Sequence, residues 1–302
     1  MTVITIESVS KRFGRATAVD DVSLTIARGD SVALWGTNGA GKTTLLRCVL
    51  GLLRFRGRIQ VGGCDVHRAG KAARQLIGYV PQEIGFYDDL GVEEAILFFA
   101  RLKALWRIDV GATLERVGLD GHGRKRIREL SGGMKQRLAL AIALLGEPPV
   151  LLLDEVTASL DAVGREEFVG LLERLAGSGR TLLFASHRLD EVASLAQHVA
   201  QLERGRLTAW STCADFLGRI GHCDHLHLIV AADVRQRALH SLAAGGFNPR
   251  LNGVGVIVPV LPEQKAAPFR VLADARIAVQ DFELISAPRA AALDESLPGE
   301  SQ

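Results

Sequence analysis

The segment Gly36-Thr37-Asn38-Gly39-Ala40-Gly41-Lys42-Thr43-Thr44 restricts the fold of this 302-residue chain more than any other. It fits the pattern G-x-x-x-x-G-K-S/T and lies between a β-rich run, Ser31–Trp35, and a helix expected from Gly41 to about Leu52. Strand, glycine-rich turn and helix in that order make an anion nest. The glycines let the main chain close around a phosphate, and successive N–H groups and the positive helix end point at it. Lys42 then reaches β- and γ-phosphate oxygens as a point charge, and the Thr43 hydroxyl is placed to ligate Mg²⁺.

Two further elements belong to the same chemistry. Val150-Leu151-Leu152-Leu153 is a continuous apolar run, as expected for a strand buried on both faces of a parallel sheet, and it ends in Asp154-Glu155. Adjacent carboxylates at the end of a buried strand are poor design unless a cation sits there. Asp154 is placed for the metal's coordination sphere, and Glu155 to orient or deprotonate an attacking water. The stretch Leu130-Ser131-Gly132-Gly133-Met134-Lys135-Gln136-Arg137 sets two glycines and a hydroxyl before a helical run, Met134–Leu145, and aims free N–H groups outward. Alone, it is also an ordinary helix cap.

With these motifs in this order, the chain resembles the nucleotide-binding subunits of ABC transporters over about residues 1–215. The resemblance implies an α/β P-loop NTPase with a RecA-like core, an antiparallel β subdomain and a helical subdomain. It also implies that ATP and Mg²⁺ are bound. It assigns Gln82, in Tyr79-Val80-Pro81-Gln82, to Mg²⁺ and to contact with the membrane partner, and Asp161, in Ser159-Leu160-Asp161, to the dimer interface. His187, in Ser186-His187-Arg188, becomes the switch histidine that contacts the γ-phosphate, and Phe13 the aromatic that stacks on adenine. Taken singly, Gln82 is also a surface glutamine, His187 a capping or core histidine, and Phe13 a core residue. In this family Ser131, Gly132 and Gly133 complete the site of a second subunit. The implied partners are therefore a second ATPase chain, as in a homodimer, and a separate transmembrane permease. Two residues depart from the family pattern: Met134 stands where glutamine is usual, and Val156 replaces the usual proline after Glu155.

The form Ser186-His187-Arg188-Leu189-Asp190-Glu191-Val192 is similar to the S-H-x-L-x-E-V of ABC-2-type exporters. Phe86–Leu90 and Leu97–Lys103 are similar to ATPases serving nitrous-oxide-reductase maturation, a copper-enzyme pathway. An importer ATPase with a regulatory C-terminal domain and a soluble non-transport ABC ATPase are the alternatives.

A formal charge of +2 is too nearly neutral to argue for a nucleic-acid partner, and Cys48, Cys64, Cys213 and Cys223 show no C-x-x-C spacing. That favours a reduced compartment. No run approaches the apolar length of a bilayer span, and Thr2–Glu7 alternates like a strand rather than a signal peptide. The expectation is a cytoplasmic protein, peripheral on the inner face of the cell membrane through its permease.

Residues 1–217 are expected to form the ATPase domain and 218–302 a small α+β domain with a frayed tail. In that domain strands are expected at Leu226–Val230, Val254–Val260 and Ala275–Gln280, with one helix at Asp233–Ala244. Alternation puts Cys223, His225 and His227 on one strand face. These residue types suit copper or zinc. The same residues read more simply as an amphipathic strand with its polar face out and Leu226, Leu228 and Val230 turned inward.

Overall fold

Two long alternating strands, β1 (Thr2–Phe13) and β2 (Ala16–Ala27), open the structure as an antiparallel pair. The computed structural model describes residues 2–221, 224–260 and 265–285, in two compact units, one ending at Cys213 and the next beginning at Ala214. After β2, Asp30 accepts a hydrogen bond from the Ala27 amide (3.1 Å) and turns the chain into β3 (Ser31–Trp35). Then come α1 (Lys42–Val49), β4 (Arg56–Val61), β5 (Cys64–Asp65), α2 (Gly70–Gln75) and β6 (Ile77–Val80). The helical stretch is α3 (Val92–Leu102), α4 (Val110–Glu115) and α5 (Gly132–Leu144). β7 (Val150–Asp154), α6 (Ala162–Gly177), β8 (Thr181–Ser186), α7 (Leu189–Leu195), β9 (His198–Glu203) and β10 (Arg206–Thr212) complete the first unit.

Its six-stranded sheet runs β10-β9-β3-β8-β7-β6, parallel except at the β10 edge. Every residue of β7 and β8 is buried, as their unbroken apolar runs require. The antiparallel sheet runs β2-β1-β4-β5. One core joins the two sheets, from Ile4, Ile6, Ile26 and Ile59 through Leu45, Leu46 and Val49 of α1 to Val32, Leu34 and Leu183. α6 buries Phe168, Leu171, Leu172 and Leu175, the stripe its helical spacing predicts. α5 lies directly on β6 because Gly78 leaves room: a Cβ there would sit 2.4 Å from the Ala143 carbonyl oxygen. Lys103 closes the other end of α5 by donating to the Leu145 carbonyl at 2.9 Å, and burial pulls its pKa below the usual lysine value.

α8 (Cys213–Gly221) follows, then β11 (Asp224–Val230), α9 (Arg235–Ala244), β12 (Arg250–Leu251), β13 (Gly255–Val260), α10 (Ala267–Asp274) and β14 (Val279–Ile285). The antiparallel order β12-β13-β11-β14 with this alternation of helices is a ferredoxin-like arrangement. Its core is Leu226, Leu228, Val230, Ala238, Leu242, Val256, Val258 and Leu272. His225 and His227 lie on the opposite face of β11 from these leucines, and Cys223 lies outside the described residues.

Two expectations for this unit are corrected. Beyond α8, α10 is a second helix where one was expected, and the last strand begins at Val279, not Ala275, because Val279 is the residue that pairs with Val230.

Candidate active site

Strand register assembles the site. Trp35 pairs with Ser186 and Asp154 with Ala185, so β3, β7 and β8 end at one level of the sheet. The glycine loop, Glu155 and His187 all leave from that edge, the usual position for ligands on an open α/β sheet. Val80 pairs with Leu153, which brings Gln82 to the same edge from β6.

The loop folds as its glycines demand. Gly41 has φ of 103°, and a Cβ there would fall 2.3 Å from the Ala18 carbonyl oxygen. Only glycine fits that approach. Asn38, Gly39, Ala40, Gly41, Lys42, Thr43, Thr44, Gln82 and Glu155 line one cleft of about 310 Å³ with Ala18. Gly36 sits at its base, where its carbonyl accepts from Lys42 Nζ at 2.7 Å. Lys42 is 4% exposed; its Nζ also donates to the Thr37 carbonyl at 3.3 Å and lies 3.1 Å from Glu155 Oε1.

The Thr43 hydroxyl donates to Asp154 Oδ1 at 2.8 Å, and the Tyr79 hydroxyl to Oδ2 at 3.4 Å. Asp154 is fully buried. Burial raises its pKa above the ordinary aspartate value, the Thr43 hydrogen bond opposes the rise, and the Glu155 charge adds to it. The same burial and the Asp154 charge push the Tyr79 phenol up to about 12. A buried carboxylate at this cost is best met by a cation. The donors present, a hydroxyl, a carboxylate and the Gln82 amide, are the hard oxygen set that Mg²⁺ takes. Thr43, Asp154 and Gln82 would hold it, and bound there it would neutralise phosphate charge.

Glu155 has a positive φ of 46°, uncommon for a side-chain-bearing residue, and is only 10% exposed. Its Oε2 lies 3.6 Å from His187 Nδ1, and His187 is 47% exposed at the rim. A carboxylate, an imidazole and a buried ammonium thus face the space beside the loop. That grouping can orient a water, take its proton and stabilise charge on a transferring phosphoryl group.

Other expected residues stand apart from the cleft. Ser131 caps α5, accepting from the Met134 amide at 3.3 Å, and Ser131 and Gly132 are exposed. Neither they nor Gly133 line the cleft. Asp161 caps α6 through the Gly164 amide at 2.8 Å. Phe13 is half exposed with Lys11 Nζ 4.7 Å above its ring. Sequence reasoning missed two residues here: Ala18 and Tyr79. Tyr79 was within reach, since it precedes Gln82 on a strand neighbouring β7; Ala18 enters only through its backbone.

The family model described as "ABC transporter" matches residues 19–158. The daunorubicin resistance ATP-binding protein DrrA3 of Streptomyces coeruleorubidus is 40% identical over 225 residues, covering 73% of this chain and 71% of that protein. The sulfate/thiosulfate import ATP-binding protein CysA of Burkholderia mallei is also 40% identical, over 214 residues, 68% of this chain and 61% of that one. A solved ATP binding subunit of an ABC transporter superposes with a TM-score of 0.64 at 26% identity, covering 73% of this chain and 94% of the other. By these relatives the chain belongs to the ATP-hydrolysing ATP-binding subunits of ABC transporters.

Proposed function

We propose that this chain is the motor subunit of an ABC-2-type exporter, working as a homodimer beneath a separate permease. One observation carries the dimer. Lys42, Thr43, Asp154, Glu155 and His187 converge on one cleft, while the exposed Ser131–Gly132 helix start serves no group within it. An exposed N-terminus that suits phosphate but does not line its own chain's cleft completes the site of a second copy. ATP is then held between Lys42 and Thr43 of one chain and Ser131 and Gly133 of the other. Binding closes the dimer and hydrolysis releases it, driven by the different ATP affinities of the open and closed states.

The export direction is supported by the S-H-x-L-x-E-V form after β8 and by the resistance protein among the relatives. Permease docking is supported by large apolar side chains exposed on α3 and the segments flanking it: Tyr87 and Trp106 at 83%, Leu102 at 67% and Phe98 at 51%. Among the described residues no helix is long and apolar enough to cross a membrane, so the channel is assigned to the permease. Through it the chain sits at the cytoplasmic face. The copper-related subtype is supported by the likeness of Phe86–Leu90 and Leu97–Lys103 to ATPases of that pathway.

Purification of the tagged full chain from native membranes in mild detergent tests the proposal. It should bring down an integral membrane protein of about six spans of about 20 residues each, and ATP turnover should depend on that complex. Recovery only as a soluble species, with turnover indifferent to membrane extracts, refutes it.

A further inference from the structure

Glu191, on α7, is a buried carboxylate that touches neither the cleft nor the metal-binding oxygens, yet it is 5% exposed. Withdrawing a carboxylate from water costs several kcal/mol unless its oxygens are met by donors and a counter-charge. Here they are. Oε2 accepts from the Ser186 hydroxyl at 2.7 Å, Oε1 accepts from the Thr157 hydroxyl, and Arg188 Nε lies 3.6 Å from Oε1. Ser186 in turn accepts from the Arg188 amide at 3.0 Å. Thr157 and Ser186 are themselves buried, at 3% and 2% exposure.

The two hydroxyls stand at telling places. Ser186 ends β8 and is bonded through the chain to His187. Thr157 lies two residues beyond Glu155, in the turn where the Ala158 amide donates to the Glu155 carbonyl at 3.1 Å. Glu155 and His187 therefore leave from separate strands, and their side chains are only 3.6 Å apart. One carboxylate holds the chain on both sides of that pair. We infer that Glu191 is a positioning residue: by gripping Thr157 and Ser186 with its two oxygens, it sets the distance between the general base Glu155 and the switch histidine His187. The inference rests on the ATPase reading of the site, and the turnover of the unaltered chain checks that reading separately.

Steady-state ATP turnover and ATP affinity of the full chain test it in four single variants and in the doubles that join Glu191→Ala to each hydroxyl deletion. Misplacing a catalytic pair by about 1 Å costs up to about a hundredfold in rate. Glu191→Ala should therefore lower kcat about 10- to 100-fold while KM for ATP stays within about threefold, since the phosphate-binding loop is untouched. Glu191→Gln keeps one acceptor and should recover part of the loss. Thr157→Val and Ser186→Ala should each lower kcat less, and neither should add to Glu191→Ala, because both act through the same carboxylate. An unchanged kcat in Glu191→Ala, or losses that multiply in the double variants, would overturn the inference. So would a rise in KM matching the fall in kcat. Should Glu191→Ala not fold, the two hydroxyl deletions decide: full kcat in both rejects it.

Discussion

Glu155→Gln should stop turnover and leave ATP bound. The carboxylate faces two groups, Lys42 Nζ at 3.1 Å from Oε1 and His187 Nδ1 at 3.6 Å from Oε2, and is 10% exposed. Glutamine keeps the shape and one oxygen but loses the charge and the capacity to take a proton. General-base assistance is worth about 10²–10⁴ in rate, or about 3–5 kcal/mol of barrier at about 1.4 kcal/mol per tenfold. kcat should fall by that factor.

Affinity should move the other way. At 3.1 Å and an effective dielectric of about 20, Lys42 and Glu155 attract with roughly 5 kcal/mol of gross Coulomb energy. Lys42 gives up part of this when it turns to a phosphate. The Gly36 and Thr37 carbonyls still hold the ammonium at 2.7 and 3.3 Å, so the lysine stays in place without its competing anion. ATP affinity should therefore be unchanged or rise by up to about tenfold, equivalent to about 1.4 kcal/mol. The assays are phosphate release at saturating ATP, equilibrium binding of a fluorescent ATP analogue, and size-exclusion chromatography with ATP, where a persistent dimer is expected. Turnover within threefold of the parent, or binding lost in step with turnover, refutes the role given to Glu155.

Two further perturbations test other parts of the account. Gly41→Ala forces a Cβ to 2.3 Å from the Ala18 carbonyl oxygen at φ of 103°. It should cost about 1–3 kcal/mol of strain and abolish ATP binding, read by thermal melting and nucleotide titration; parent-like affinity would contradict the close-approach argument. Glu147 bridges Arg116 and Arg180, and its pKa is held below the ordinary 4.5, first by the Arg116 hydrogen bond and then by the two guanidinium charges. A carboxylate depressed in the folded state adds stability that is complete above its unfolded pKa and is lost as pH falls through the folded one. The melting temperature of Glu147→Gln should thus decline less steeply than the parent's below about pH 4.5, and parallel curves there would reject the pairing.

Much of this architecture was legible because local chemistry and tertiary demand coincide. Ser31–Trp35 and Ile77–Val80 are strands at the residues where apolar runs meet turn signals, and the α6 stripe from Phe168 to Leu175 is the buried one. The nucleotide-binding loop is equally local, nine consecutive residues whose spacing is their chemistry. What was not legible depends on partners distant in sequence. α10 carries Pro268 in its first turn, where a missing N–H costs nothing, so a residue that ends most helices sits inside this one. β14 is set by its register with β11 rather than by its own composition. Glu191 is one more charged residue of an amphipathic helix until folding carries Thr157, 34 positions away, to its oxygen. Tyr79 likewise gains meaning only when β6 and β7 pair.

The central claim is that each ATP site is shared between two copies of this chain, and mixing two inactive variants tests it most directly. Glu155→Gln disables the P-loop half and Ser131→Arg the helix-cap half. Combined one to one under dimerising conditions, half the dimers are mixed, and each of these carries one whole site and one doubly damaged site. Turnover should recover to about a quarter of the parent's if the sites act independently in a two-fold dimer. If the mixture never exceeds the average of the separate variants, each site is complete within one chain and the shared-site account is wrong.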